Sequence, residues 1–433
     1  MSRRPESLLP AVTRPEMVLT VLGGSSPATP VLIASLRKAQ LDGALGPLEL
    51  RLFGRNERQL RRIRDYFRAT SGARDCPALH ISTHCDIGGA LRGASHVLCM
   101  IRAGGMDGRA YDERLALSAG VPADEGLAVG GLSCFVRTRN LITTVAEQCA
   151  RHAPLALLIQ MASPLGLNVA LSRAAFGSRC VGLCELPRVT AATLAEAMHD
   201  RGGPHWASHA HAGLNHQSWL YAFRDEQGRD VTQQVLDALP AGGMSGIDKR
   251  RMLEFGAVPV SYLGLYLHPR RVLNAQRKGP VRGDVLGRWS QRVGRALCNG
   301  PRVDVQKVSK LLARRKMDWF EQGVIPALSA LGEPRSQLCV LNVPAGGALP
   351  GVPPEAIVEI NCRASARGVT PMKVAPLPER PEALTRQLVT YEAAALALPQ
   401  SPSARDVSSV LDLHPLVPRR QIRKLARALA SAG

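Results

Sequence analysis

MVLTVLGGSSPATP, residues 17–30, reads as a strand, a glycine turn and the beginning of a helix. The apolar run Met17–Leu22 stops at Gly23-Gly24-Ser25-Ser26, and a helical pattern continues from Thr29 to Gln40. Such a turn lets backbone N–H groups and a helix N-terminus approach a pyrophosphate with no Cβ in the way. Gly23, Gly24, Ser25 and Ser26 are therefore candidate dinucleotide contacts. The string is not GxGxxG, and on its own it fits a plain turn equally well; its place directly after an apolar strand favours the ligand-binding reading.

Working outward, Leu48–Phe53 has the spacing of the next parallel strand of a βαβ unit. A basic amphipathic helix (Glu57–Thr70), a strand near Leu79–Ser82, a helix start at Asp86 and the apolar runs His96–Ile101 and Leu155–Gln160 follow. This alternation over residues 15–190 predicts an α/β fold, a Rossmann-like doubly wound parallel sheet. From Val189 onward helical stretches dominate, broken by β-like runs at Leu338–Val343 and Ala356–Ile360, which predicts a C-terminal α+β domain. The expected division is a polar leader (1–16), a dinucleotide-binding domain (17–190) and a substrate, metal and oligomerisation domain (191–433). The tail from Pro418, with Arg419, Arg420, Arg423, Lys424 and Arg427, reads as a basic surface helix.

In a dinucleotide fold the second strand ends on a carboxylate that holds the adenosine ribose. Here it ends Phe53-Gly54-Arg55-Asn56, with no carboxylate. An arginine at this point accommodates a 2′-phosphate, so NADP stands beside NAD as the expected cofactor, with Arg55 and Asn56 as contacts. The alternative is that Arg55 is a solvated side chain.

Lys plus Arg number 55 against 35 Asp plus Glu, a formal charge of +20. The cations are dispersed, aromatic residues make up 4%, and no zinc-finger, helix-turn-helix or aromatic RNA-binding signature accompanies them, so nucleic acid is not the expected partner. A positive field suits an anionic sugar or a dinucleotide as well. Ten cysteines without a CxxC pair suggest reduced thiols. No segment reaches the roughly 18 apolar residues of a membrane span, so a soluble cytoplasmic protein is expected.

Several separated segments together resemble glycoside hydrolase family 4, the NAD- and metal-dependent glycosidases. GGSSPATP is similar to the family's GGGSxxTP, and IRAGGMDGRAYDERLALSAGV (101–121) to its IRxGGxxxRxxDExxxxxxG block. VGLCELP (181–187) and GLNHQSWL (213–220) are similar to its metal-ligand segments, and VPVSYLGLY, LNVPAGGALPGVPPEAIVEINC and HPLV match further along, so the likeness runs from Leu19 to about Val417. The resemblance implies NAD, Mn2+ or another divalent transition metal, a sugar substrate and a homodimer or homotetramer. It implies oxidation at the sugar C3, removal of the C2 proton by a tyrosine, elimination from C1, addition of water and return of the hydride.

Carried over residue by residue, the metal ligands fall on Cys184 and His216, the tyrosine base on Tyr262 with Tyr266 as fallback, and the acid on Glu185. Arg109, Ser163, Asn215 and Arg282 fall on substrate-binding positions. His205, His209 and His211 lie nearby without a motif and read as loop or structural residues. Three segments depart from the family. Its NxxNP is Gln160-Met161-Ala162-Ser163-Pro164, its RGGAxY is the bulky Arg314-Arg315-Lys316-Met317-Asp318-Trp319-Phe320, and its Glu-Thr is Glu125-Gly126. These changes leave open a non-hydrolytic sugar oxidoreductase, epimerase or lyase, and sugar 6-phosphate specificity does not transfer.

Overall fold

The computed structural model describes residues 17–70, 79–126 and 128–431; the leader 1–16 and Cys76 lie outside them. Strands β1 (Met17–Leu22), β2 (Leu48–Phe53), β3 (Leu79–His84), β4 (His96–Cys99), β5 (Leu157–Gln160) and β6 (Cys180–Gly182) run parallel. Their spatial order, β3-β2-β1-β4-β5-β6, is that of a dinucleotide-binding sheet. Leu19, Val21, Leu50, Leu52, Leu98 and Ile159 are buried in its core, which is why these strands read as apolar runs.

In the second half, β7 (Ser208–Leu214), β8 (Gln217–Arg224) and β9 (Val258–Pro259) make a small antiparallel sheet. Strands β10 (Gln337–Pro344), β11 (Ile357–Ser365) and β12 (Gly368–Pro371) are also antiparallel, but they extend the first sheet beyond β6 to nine strands. The β-like runs expected in the C-terminal α+β domain are strands, and they pair onto the edge of the N-terminal sheet. β6 would otherwise be an open edge, and β10 covers it. The junction pairs Gly182 with Asn342. A Cβ at Gly182 would lie 2.8 Å from the Asn342 Cβ and 2.7 Å from a Val169 methyl, so the closing strand docks only on a glycine.

The order of the parallel strands reverses between β1 and β4, and the crevice beyond their carboxyl ends is where such sheets bind ligands. The C-terminal helix Ile422–Ala430 buries Ile422, Leu425, Ala426 and Leu429 while Arg423, Lys424 and Arg427 face outward, the basic surface helix expected. The nine described cysteines are all free. Among the described residues, no helix is long and apolar enough to cross a membrane.

Candidate active site

A cleft of about 240 Å³ opens at the strand ends, and most of the residues singled out by sequence meet there. Ser26, Arg109, Ser163, Cys184, Glu185, Asn215, His216 and Tyr262 all line it. Gly23, Gly24, Ser25, Arg55, Asn56 and Arg282 do not.

On the nucleotide side, Ser26 and Ala28 join Met100 and Met161, from the ends of β4 and β5, along the cleft wall. The turn is held tightly on the sheet: a Cβ at Gly24 would come within 2.9 Å of the Leu52 Cα. The N–H groups of Gly23 and Gly24 do not point free, as expected for phosphate donors; both donate to the Phe53 carbonyl, at 3.2 and 2.7 Å. The Ser26 N–H donates to the Gly23 carbonyl, so among the described residues only the Ser25 N–H of the four lacks a partner. The glycines serve closeness of approach, because the carbonyl ending β2 takes their donors. Asn56 is likewise occupied, its side chain accepting from the Gln59 N–H at 3.0 Å to cap the helix Glu57–Thr70, and Arg55 is exposed.

His216 stands at the tip of the β7–β8 hairpin, where Leu214 pairs with Gln217 across a two-residue turn. Its φ is +65°, a left-handed conformation that costs a non-glycine residue about 1–2 kcal/mol. The imidazole stacks on Tyr262, ring centres 4.2 Å apart and planes at 22°. Its Nδ1 is buried without a hydrogen-bond partner. Cys184 follows β6 into the same cleft. Burial, reinforced by the Glu359 and Glu185 carboxylates, pushes its thiol well above the usual range, so thiolate there needs a cation beside it. Burial also raises Glu185, favouring the protonated acid. The Tyr262 phenol is pushed up by burial and by Glu125 and Asp124, against Arg109 and Arg282, which lower it. Tyr266, the fallback, is buried behind the site with its hydroxyl 3.2 Å from His414 Nε2.

Beneath the hairpin lies a support that the sequence did not announce. Glu359, fully buried on β11, accepts from Asn215 Nδ2 at 2.9 Å, Ser218 Oγ at 2.6 Å and Asn342 Nδ2 at 3.1 Å, with His211 Nε2 at 3.7 Å. Burial alone would raise its pKa, but His211, Ser218 and Asn215 hold it below the ordinary value. The hairpin is thereby tied to β10 and β11, the strands that extend the first sheet, and His211 packs against this network. A carboxylate within EINC and an amide within LNVP give no hint of pairing until β10 and β11 align them.

The other wall is an arginine–carboxylate chain. Glu125 meets Arg102 and Arg109 at 2.6 Å each, and Arg109 Nε donates to Glu113 at 2.8 Å. Burial opposes charge on Glu125, but Arg102 and Arg109 outweigh it and hold the carboxyl at about 2. Glu113 also accepts the Gly283 N–H at 2.7 Å, fixing the start of the helix Arg282–Cys298. Arg282 itself is exposed and lines an adjoining cavity that shares Arg109, Glu125 and Tyr262 with the cleft. Arg102, Glu125, Arg315 and Trp319 also line the cleft, the last three from segments that depart from the family's pattern. Among the described residues, no three His, Cys, Asp or Glu side chains gather as a metal site; Cys184 and His216 line the cleft together with Glu125, Glu185 and Asn215.

Comparison with known proteins accounts for this arrangement. The model for family 4 glycosyl hydrolases matches residues 18–200, and that for the family's C-terminal domain matches residues 211–417. A probable 6-phospho-beta-glucosidase of Bacillus subtilis is 25% identical over 352 residues, covering 77% of this chain and 78% of that protein. The 6-phospho-beta-glucosidase of Thermotoga maritima, solved with NAD and glucose-6-phosphate, superposes with a TM-score of 0.81 at 18% identity over 96% of this chain and 98% of its own. A 6-phospho-alpha-glucosidase from gut microorganisms, solved with NAD and Mn2+, gives 0.80 at 19% identity over 96% and 97%. With both halves of the sequence matched in order, the chain belongs to glycosyl hydrolase family 4.

Proposed function

We propose that the chain is a glycosidase that cleaves a glycoside bearing an anionic group by C3 oxidation, C2 deprotonation, elimination from C1, addition of water and return of the hydride. The observation that carries this reading is the convergence of Cys184, Glu185, His216 and Tyr262 on one cleft that reaches the nucleotide turn at Ser26 and Ala28. The donor set suits a soft divalent ion: one thiol, and one imidazole with a buried, unpartnered Nδ1. The turn and the switch point suit a dinucleotide, NAD as in the solved relatives or NADP in view of Arg55. Bound, the dinucleotide supplies the hydride acceptor and a divalent ion such as Mn2+ the Lewis acid.

The side chains divide the remaining work. Cys184 and His216 hold the ion. Tyr262 takes the C2 proton, its position fixed by stacking on His216; burial, Glu125 and Asp124 hold its phenol up against Arg109 and Arg282, so its ionisation calls for a cation bound beside it. Glu185, whose carboxyl burial shifts toward the protonated form, gives its proton to the departing oxygen. Arg109, Ser163, Asn215 and Arg282 contact the sugar, and the protein assembles as a homodimer or homotetramer. The test is hydrolysis of coloured aryl glycosides in D2O with NAD and Mn2+. Deuterium should enter the released sugar at C2, and chelator should stop the reaction; hydrolysis without either would refute the mechanism.

A second reading, a non-hydrolytic oxidoreductase, epimerase or lyase, is favoured by Ser163, whose short hydroxyl lines the cleft at a position where the family has an amide. In its oxidoreductase form it predicts that reduced dinucleotide accumulates during turnover, because the sugar leaves oxidised, whereas hydrolysis returns the hydride.

A further inference from the structure

Of the three consecutive cations Arg314-Arg315-Lys316, the fold singles out one. Arg314 and Lys316 are exposed, and Lys316 pairs with Asp318 at 2.8 Å. Arg315 instead lines the cleft beside Trp319 and Phe320. Its guanidinium carbon lies 4.8 Å from the centre of the Trp319 ring and 5.0 Å from that of Trp289. Trp289 is anchored by its own indole N–H, which donates to the Leu311 carbonyl at 2.8 Å.

What distinguishes this arginine from the others in the cleft is that, among the described residues, no carboxylate pairs with it. Arg102 and Arg109 are each matched by carboxylates at 2.6–2.8 Å. Among the described residues the Arg315 guanidinium has no ion pair or hydrogen bond, and its Nε is buried without a partner. Burial and the neighbouring Arg282 and Arg109 lower its pKa to about 10, which still leaves it charged at neutral pH. Stacking on indoles occupies the faces of a guanidinium and leaves its N–H edge, the fork that matches carboxylate and phosphate oxygens, for a ligand.

We infer that Arg315, steadied by Trp289 and Trp319, is the residue that reads the sugar's charge: its N–H edge receives a carboxylate or phosphate monoester carried by the substrate. The assignment rests on the cleft being the glycoside site. It also gives the bulky segment 314–320 a purpose, since that segment supplies both the cation and the Trp319 ring.

The test is calorimetric titration of the full chain, loaded with NAD and Mn2+, with glucose 6-phosphate, D-glucuronate and glucose. One anionic sugar should bind at least about tenfold more tightly than glucose, as a charge-assisted bond provides, and the preferred anion identifies the group read. Arg315→Gln should abolish that advantage without changing the affinity for glucose or NAD, and Arg315→Lys should restore part of it. An advantage that survives in Arg315→Gln overturns the inference, as does a wild type that binds neither anion better than glucose. Loss of NAD affinity with the sugar preference intact overturns it too, by assigning the cation to the dinucleotide. C2 deuterium exchange by the wild type reports separately on the glycosidase reading, so exchange with an unmoved preference in Arg315→Gln removes this assignment alone.

Discussion

Two turns face the cleft from opposite halves of the chain, and they solve different problems. At Gly23–Ser26 the backbone lies so close to β2 that a Cβ on Gly24 would strike Leu52, and Gly23 adopts φ +97°. At Asn215–His216 the backbone is equally unusual, φ +65° at His216, yet the residue carries a side chain. Glycine at the first turn serves packing and ligand access together. Histidine at the second holds an imidazole against Tyr262 at a conformational cost, which the Glu359 network beneath the hairpin offsets. Stability and function therefore coincide at the first turn and diverge at the second.

The largest expected effect is the loss of metal at the second turn. Cys184→Ser or His216→Ala should weaken Mn2+ binding on the order of 100-fold or more, measured by paramagnetic titration, since each removes a donor rather than a neighbour of one. Binding within about threefold of wild type would take the ion away from this pair. At the first turn, Gly24→Ala should lower stability by about 1–3 kcal/mol through overpacking and weaken NAD binding in parallel. If NAD affinity held while stability fell, packing and access would be separate there as well.

A finer contrast lies within position 216. His216→Gly and His216→Ala both remove the imidazole, but only glycine relieves the left-handed backbone, so His216→Gly should be the more stable by about 1 kcal/mol in denaturant melts. Equal stability would mean that the turn stores no conformational cost. Glu125 governs the acid side of the stability profile. Its folded pKa, about 2, lies below the unfolded value of 4.5, so the unfolded chain binds more protons between them. The stabilisation is fully present above pH 4.5 and is lost as pH falls through that value toward 2. Glu125→Gln should flatten that part of the stability profile, and an unchanged slope would remove Glu125 as its source.

The sequence was most legible where local rules and tertiary structure agree. The strands and helices of the N-terminal half fall close to their expected places because buried parallel strands are apolar runs bounded by glycine or polar breaks. Cys184, Glu185, His216 and Tyr262 were found through resemblance, and no local rule distinguishes them from buried residues of the same types. Arg282 entered by the same route and sits in the adjoining cavity. The Glu359 network could not be read at all, because its members are brought together by β10 crossing to the edge of the first sheet.

By itself, the sequence determined the order of strands and helices, the glycine turn after β1, and which types of donor the chain could offer a metal or a sugar, since these follow from periodicity, backbone freedom and side-chain chemistry along a short stretch. Tertiary structure decided that the later strands complete the first sheet, that the Gly23 and Gly24 donors are spent on Phe53, and that Arg315 stands beside two indoles with no carboxylate partner among the described residues. Hydrogen-bond satisfaction and charge neutralisation depend on groups distant in the chain, so only folding settles which polar atoms remain for a ligand.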